Sequence, residues 1–346
     1  MASVVTSPGG FVKPLFTFSD TQRDALYDAL ETIDKNPYDD YPAFSRAVRD
    51  LVDRGEIPQF LGDVTAQIRT ERETGVSDVH ALRNCPIDRV VPVLGHDDPR
   101  ADKHANKSTY VAEGFLELFA QLTGTPLLSY ATRFNGDFFT DVIAINKYTG
   151  KQTGYSDGEL VFHNDRTAHH VRADFITLLG MRCPIEEFTY TSFVDGRTLL
   201  AGLTADEQRI LREPHFVTPF DVVSRDNNNH LTVSEAHPIF ENDHSIRYLD
   251  THTTVAPAAP LEAKDALIAL KNSLARAERR RHRILEGDLF SFANQDGLHN
   301  REKIEVIDPE RSRSRWLLKT YAFRDQTAAD RHAHRWLDGV AGRVGD

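Results

Sequence analysis

A histidine, any residue and then an acid occur as His96-Asp97-Asp98 and as His163-Asn164-Asp165. With 15 histidines and 52 acidic residues, chance alone produces such patterns, so context must separate them. The first lies in a charged stretch with no strand beside it, whereas the second follows the β-like run Glu159-Leu160-Val161-Phe162. Side chains two residues apart at a strand end point to the same side. An imidazole and a carboxylate so placed can meet one cation. A second imidazole would complete a two-His-one-carboxylate set, which leaves coordination positions open and suits non-heme iron. His299 is the candidate, because GDLFSFANQDGLHNRE enters a strand-like run through the turn signal Gly287-Asp288 and carries His299 just beyond it. Farther on, Arg313 and Arg315 precede the apolar run Trp316-Leu317-Leu318. One of these guanidiniums could face the same cavity and grip a carboxylate through two hydrogen bonds.

Plainer readings stand beside these. His169 and His170 read as ordinary, partly exposed residues. Thr189 and Thr191 suit a strand by propensity alone. Asp250, in IRYLDTHTTV, could cap a loop or read a cationic substrate group. Cys85 and Cys183 are too few for a disulfide framework or a thiolate zinc site, and Cys183 reads as a small buried hydrophobe. That cysteine usage fits a reducing cytoplasm. A formal net charge of −11 disfavours nucleic acid and anionic membranes, which demand a basic face, and favours a small-molecule partner. The opening MASVVTSPGGFVKP has neither a charged n-region nor an apolar run, and no stretch approaches the roughly 20 apolar residues of a membrane span. Homo-oligomer formation is left open.

The elements that must position these groups change character along the chain. Ser19 followed by Gln22 resembles a capping box, and Leu26, Leu30 and Ile33 recur at helical spacing, which predicts a helix over 20–34. A second helix is expected over 42–55, an exposed polar loop over 95–107, and a helix over 111–122 that Gly124-Thr125-Pro126 stops. Short β-prone runs follow at 138–145, 158–162, 175–181, 188–194 and 289–293. A long helix is expected over 261–284, with Leu267, Leu270 and Leu274 on one face and an Arg-rich end. The economical organisation is one domain over 1–346: a mainly helical N-terminal layer (1–118), a β core (119–325) with the inserted helix, and a C-terminal tail (326–346).

FHNDRTAHHVRADFITLLGMRCP, TYTSFVDGRTLLAGL, GDLFSFANQDGLHNRE and RWLLKTYAF, in this order, resemble successive blocks of the clavaminate synthase-like branch of the taurine dioxygenase superfamily. These are iron(II)/2-oxoglutarate-dependent oxygenases and include hydroxylases of free arginine, lysine and asparagine. The resemblance covers roughly residues 120–325 and does not extend to the first hundred residues. It implies an α+β fold with a mainly β core, a double-stranded β-helix or jelly roll wrapped by helices, with the triad inside one open end. It implies His163, Asp165 and His299 as iron ligands, and Fe(II), 2-oxoglutarate and O2 as cofactor and cosubstrates. Arg315, in the Arg-Trp-Leu block, falls on the residue that binds the far carboxylate of 2-oxoglutarate, although spacing from His299 alone picks Arg313. Thr189 or Thr191 falls where a Thr assists that carboxylate. Lys319 falls where some members place an Arg on the substrate's carboxylate, though a Lys lacks the bidentate fork. Gln152, in KQTGYSDG, approximates a Gln that touches substrate, in a lid-like region. The implied activity is hydroxylation of the side chain of a free L-amino acid, lysine- or arginine-like, with Asp250 reading its cationic end. Asp165 implies oxygenation, since related halogenases carry a small residue there. Desaturation, another small-molecule substrate, or a non-catalytic metal-binding protein of the same fold remain alternatives.

Overall fold

The computed structural model describes residues 10–228 and 230–345. The first nine residues, which include most of the stretch read as lacking an export signal, lie outside the described residues. In chain order the strands are β1 (Phe16–Thr17), β2 (Val79–Arg83), β3 (Leu127–Tyr130), β4 (Thr140–Val142), β5 (Leu160–His163), β6 (Phe175–Arg182) and β7 (Phe188–Asp195). They continue with β8 (Phe216–Val217), β9 (Thr254–Val255), β10 (Arg280–His282), β11 (Leu289–Ala293), β12 (Gly297–Glu305), β13 (Trp316–Ala322) and β14 (Arg343–Val344). An eight-stranded sheet runs β1-β2-β11-β6-β13-β3-β14, with β4 also paired to β13, and a four-stranded sheet runs β10-β7-β12-β5. The protein is thus a mixed α/β structure with a large β core.

Period-2 alternation on β13 shows how the layers are built. Trp316, Leu318 and Ala322 join an apolar cluster with Leu26, Phe44, Leu61 and Phe115 of the N-terminal helices. Leu317 and Tyr321 point the other way, into a cluster with Phe193 of β7 and Phe290 and Phe292 of β11. The helices therefore cover one face of the large sheet, and the small sheet packs on the other. On the far face of the small sheet, Phe162, Val194 and Leu298 pack with Leu267, Leu270 and Leu274 of the helix Glu262–Arg276. Odd-numbered β13 residues accordingly face the space between the sheets. Gly297 lets β12 lie close on β7, because a Cβ there would stand 2.2 Å from Phe193 Cζ.

Several expectations hold. The first helix, Asp20–Glu31, starts at a Ser19–Gln22 capping box, and the helix Val111–Thr123 ends at Gly124 with φ 71°. The second helix is Tyr41–Asp53. Others need correction. The stretch read as an exposed loop at 95–107 contains the helix Pro99–Asn106, whose N-cap Asp98 accepts a hydrogen bond from Ala101 N–H. Its charges are partly internal: Lys103 Nζ is buried 2.7 Å from Asp141, and Lys107 Nζ is buried between Asp88 and Glu113. The helix expected over 261–284 stops at Arg276, and Arg280–His282 instead pairs as β10 along β7, where Arg281 also meets Glu302. Edge pairing outweighs the helical preference of that arginine run. Only Thr140–Val142 of the run 138–145 is strand; Phe138 stacks on Tyr41 with centroids 3.5 Å apart. Among the described residues no helix is long and apolar enough to cross a membrane.

Candidate active site

His163 ends β5 and stands directly opposite His299 of β12 in the antiparallel register. The two rings lie with centroids 4.2 Å apart. Asp165, two residues past β5, places Oδ1 3.1 Å from His163 Nε2 and 3.6 Å from His299 Nε2. Among the described residues, these three form the one group of His, Cys, Asp and Glu side chains close enough to share a metal ion, with ligand atoms within 4.8 Å of one another. The donor set is two imidazole nitrogens and a carboxylate oxygen, without thiolate, and it fits iron(II) with open positions. His163 Nδ1 lies 2.8 Å from the Val161 carbonyl, an orienting contact that leaves Nε2 for a cation. Burial, followed by the neighbouring His163, lowers the His299 pKa to about 4, so its imidazole is neutral at physiological pH, the form that ligates metal. Burial alone would raise the Asp165 pKa, but Lys319 and the adjacent imidazoles of His163 and His299 outweigh it and hold the carboxyl well below its usual range.

Asparagines hold this loop in place. Asn294 Oδ1 accepts from Asp165 N–H at 2.8 Å, and its amide donates to the Asp165 and Ala173 carbonyls. Asn164 donates to the Asn294 and Gly297 carbonyls and accepts from Tyr248 N–H. The metal-facing carboxylate is therefore tied to the start of β12, the strand that carries His299.

The triad opens onto a cavity between the sheets. Arg315 and Thr191 line it, together with Arg133, Arg166, Asp221, Leu249, Arg301, Leu317, Lys319 and Tyr321. Arg315, Leu317, Lys319 and Tyr321 are the alternate residues that the β13 pleat turns inward. Burial lowers the Arg315 pKa, and no carboxylate lies within ion-pair distance of it among the described residues. A buried guanidinium of this kind fits the carboxylate of a bound dicarboxylate. Arg313 is placed differently. It belongs to the short helix Pro309–Arg313, pairs at 2.5 Å with Asp157, and lines a neighbouring depression with Thr189, whose buried hydroxyl has no hydrogen-bond partner among the described residues.

Gln152 lines the cavity and accepts from Val161 N–H while its amide reaches the Glu159 carbonyl. Two further candidates are held by neighbouring side chains. Asp250 Oδ1 accepts from the Tyr248 hydroxyl at 2.7 Å and Thr251 N–H at 2.9 Å, with Lys271 3.7 Å away. It caps its loop, while its neighbour Leu249 faces the cavity. Lys319 does not stand free for a substrate carboxylate either, because its Nζ lies 2.8 Å from Asp165 Oδ2. His169, expected to be partly exposed, is buried on the cavity wall beside Arg166 and Ser224; His170 is exposed.

Sequence reasoning missed several cavity residues. Tyr321 had a signal, standing two positions after Lys319 on one strand face. Arg301 of β12 donates to the carbonyls of Gly154, Ser156 and Gly158 and so pins the loop that carries Gln152. Arg133 pairs with Asp221, which also caps the helix Val222–Asn227 through the Val223 and Ser224 amides. Arg166 sits at φ 64°, a backbone state no sequence rule assigns to arginine.

Comparison with known proteins bears on the fold and the family. An L-lysine 3-hydroxylase of Catenulispora acidiphila is 27% identical over 124 residues, and the match spans about a third of that protein's length, 34%, and 36% of this chain. An asparagine oxygenase solved with Fe(II), 2S,3S-3-hydroxyasparagine and succinate is 20% identical, with a TM-score of 0.77 over 98% of this chain and 99% of that one. The non-heme iron oxygenase OrfP, solved with Fe, succinate and (3S)-hydroxy-L-Arg, is 19% identical with a TM-score of 0.76 over 96% of this chain and 100% of that one. These structures share the fold of this chain. The profile of the family described as taurine catabolism dioxygenase TauD, TfdA family matches residues 109–321, which include all three triad residues and Arg315. The chain belongs to the TauD/TfdA dioxygenase family.

Proposed function

We propose that the protein is an iron(II)/2-oxoglutarate-dependent oxygenase that hydroxylates the side chain of a free L-amino acid, and that its β core is a double-stranded β-helix forming a single domain. The observation that carries this reading is the His163-Asp165-His299 cluster opening onto the same cavity as the buried guanidinium of Arg315. His163, Asp165 and His299 would hold the metal. Arg315, helped by the Thr191 hydroxyl, would bind the far carboxylate of 2-oxoglutarate. When bound, iron(II) with 2-oxoglutarate and O2 supplies the oxidation: the 2-oxo acid leaves as succinate and carbon dioxide, and one oxygen atom enters the substrate.

The chain's own contribution is positioning and charge. Arg133, Arg166, Arg301, Arg315 and Lys319 line the cavity against Asp165 and Asp221 alone. This cationic excess suits two anions together, the dicarboxylate cosubstrate and an amino acid's carboxylate. Asp221, the acid on the wall outside the triad, is already engaged by Arg133 and by the Val223 and Ser224 amides. Gln152 and Tyr155, on the loop pinned by Arg301, cover the cavity and limit water access. The similar proteins act on lysine, asparagine and arginine by their names and bound products, which makes amino acids of these kinds the first substrates to try. Succinate release should be measured with iron(II) and 2-oxoglutarate across the free L-amino acids. Stimulation by one or a few of them is expected. A rate that no amino acid raises above the substrate-free rate would contradict the amino-acid hydroxylase reading.

A further inference from the structure

A carboxylate that ligates a metal through one oxygen must do something with the other. Asp165 Oδ1 faces both histidine Nε2 atoms, while Oδ2 faces away and accepts two hydrogen bonds, from Lys319 Nζ at 2.8 Å and from the Tyr321 hydroxyl at 2.9 Å. The two donors also contact each other, Lys319 Nζ to the Tyr321 oxygen at 2.8 Å. Neither is free to drift. Both lie on β13, which is paired on one side to β6, Lys319 opposite Leu178 and Tyr321 opposite Ile176. On its other side, Lys319 is opposite Thr140 and Tyr321 opposite Leu128. The Tyr321 ring meets Tyr130 edge-on, with centroids 5.4 Å apart. The histidines stand on the four-stranded sheet and these donors on the eight-stranded sheet, so Asp165 is gripped from both.

Resting on the reading of Asp165 as a metal ligand, we propose that Lys319 and Tyr321 are positioning residues that hold Asp165 as a one-oxygen ligand. The position that its second oxygen would otherwise take on the metal is thereby kept for 2-oxoglutarate. A carboxylate beside a dication can turn about Cβ–Cγ and chelate through both oxygens. An ammonium and a phenol on Oδ2 oppose that turn, since breaking two charge-assisted hydrogen bonds to a largely buried carboxylate, one of them also an ion pair, leaves buried donors unmatched. The ammonium at this strand position therefore serves the metal ligand rather than the substrate's carboxylate.

The test uses Co(II) as a spectroscopic stand-in for iron in the full-length protein, with no amino acid present. Lys319→Met is expected to change the visible absorption of the Co(II)-loaded protein, reporting altered carboxylate ligation. It should weaken 2-oxoglutarate binding to that loaded protein by about 10–100-fold, the range for losing a partner of a metal ligand. Tyr321→Phe should act in the same direction but less, and Lys319→Arg, which keeps a cationic donor, should retain most of the wild-type spectrum. Tyr321→Phe keeps the aromatic ring and decides the matter if the lysine variants do not fold. An unchanged Co(II) spectrum and unchanged 2-oxoglutarate affinity in Lys319→Met and Tyr321→Phe would overturn the clamp while leaving the metal site standing. If the Co(II) spectrum and 2-oxoglutarate affinity of Lys319→Met are unchanged while the amino-acid KM of its iron(II)-loaded form rises in a separate turnover assay, Lys319 returns to the substrate and the clamp is overturned. Failure of the wild-type protein to bind Co(II) or Fe(II) would sink the metal-site reading itself, and the clamp with it.

Discussion

His299→Ala and His163→Ala should each abolish iron(II) binding and turnover together. Either change leaves two protein ligands for a metal that the cavity must otherwise hold by itself. The loss should exceed the roughly 10–100-fold typical of removing only a partner of a ligand. The fold should survive, because both imidazoles line the cavity between the sheets, where truncation enlarges open space. Calorimetric titration of the metal-free variants with iron(II) under anaerobic conditions reads the binding, and succinate release reads the turnover. Near-normal succinate formation by either variant would mean that the His163-Asp165-His299 cluster is not the metal site.

Arg315→Ala should raise the 2-oxoglutarate requirement by roughly 30-fold or more, since truncating one partner of a buried charged pair costs about 2–5 kcal/mol. Iron affinity should change little, because Arg315 makes no contact with the triad. Arg313→Ala should leave the 2-oxoglutarate requirement close to wild type, for its guanidinium is engaged with Asp157 and Asn146 beside the cavity and not in it. Steady-state kinetics against 2-oxoglutarate for both variants separates the two arginines. The reverse pattern would shift the cosubstrate site by two residues.

The triad was most legible at His163 and Asp165, which follow a strand whose β character is local. Leu160–His163 is a short apolar run whose strand-end placement puts His163 and Asp165 on one side, whereas His299, expected just beyond the run Leu289–Ala293, stands on the separate and more polar strand β12, which the sequence did not mark. The choice between Arg313 and Arg315 could not be made from spacing, since it depends on a five-residue helix, Pro309–Arg313, that delays the start of β13. Once β13 is placed, its pleat sends Arg315, Lys319 and Tyr321 into the cavity together. The role of Lys319 was hidden for a different reason: its partner Asp165 lies 154 positions away in sequence, on a loop tied to the other sheet. The Tyr248 hydroxyl on Asp250 was not legible either, since a carboxylate's position in sequence says nothing about which way it turns. The buried pairs Lys103–Asp141 and Lys107–Glu113 show the same limit, as a charge-rich segment reads as solvated until its tertiary partners are known.

The most direct test of the proposed activity is turnover under 18O2 with iron(II), 2-oxoglutarate and the amino acid that best stimulates succinate release, read by mass spectrometry of both products. One labelled oxygen atom is expected in the hydroxylated amino acid and one in succinate. An amino-acid product that carries no label, whether it has lost two hydrogens or gained chlorine, would contradict hydroxylation at this site.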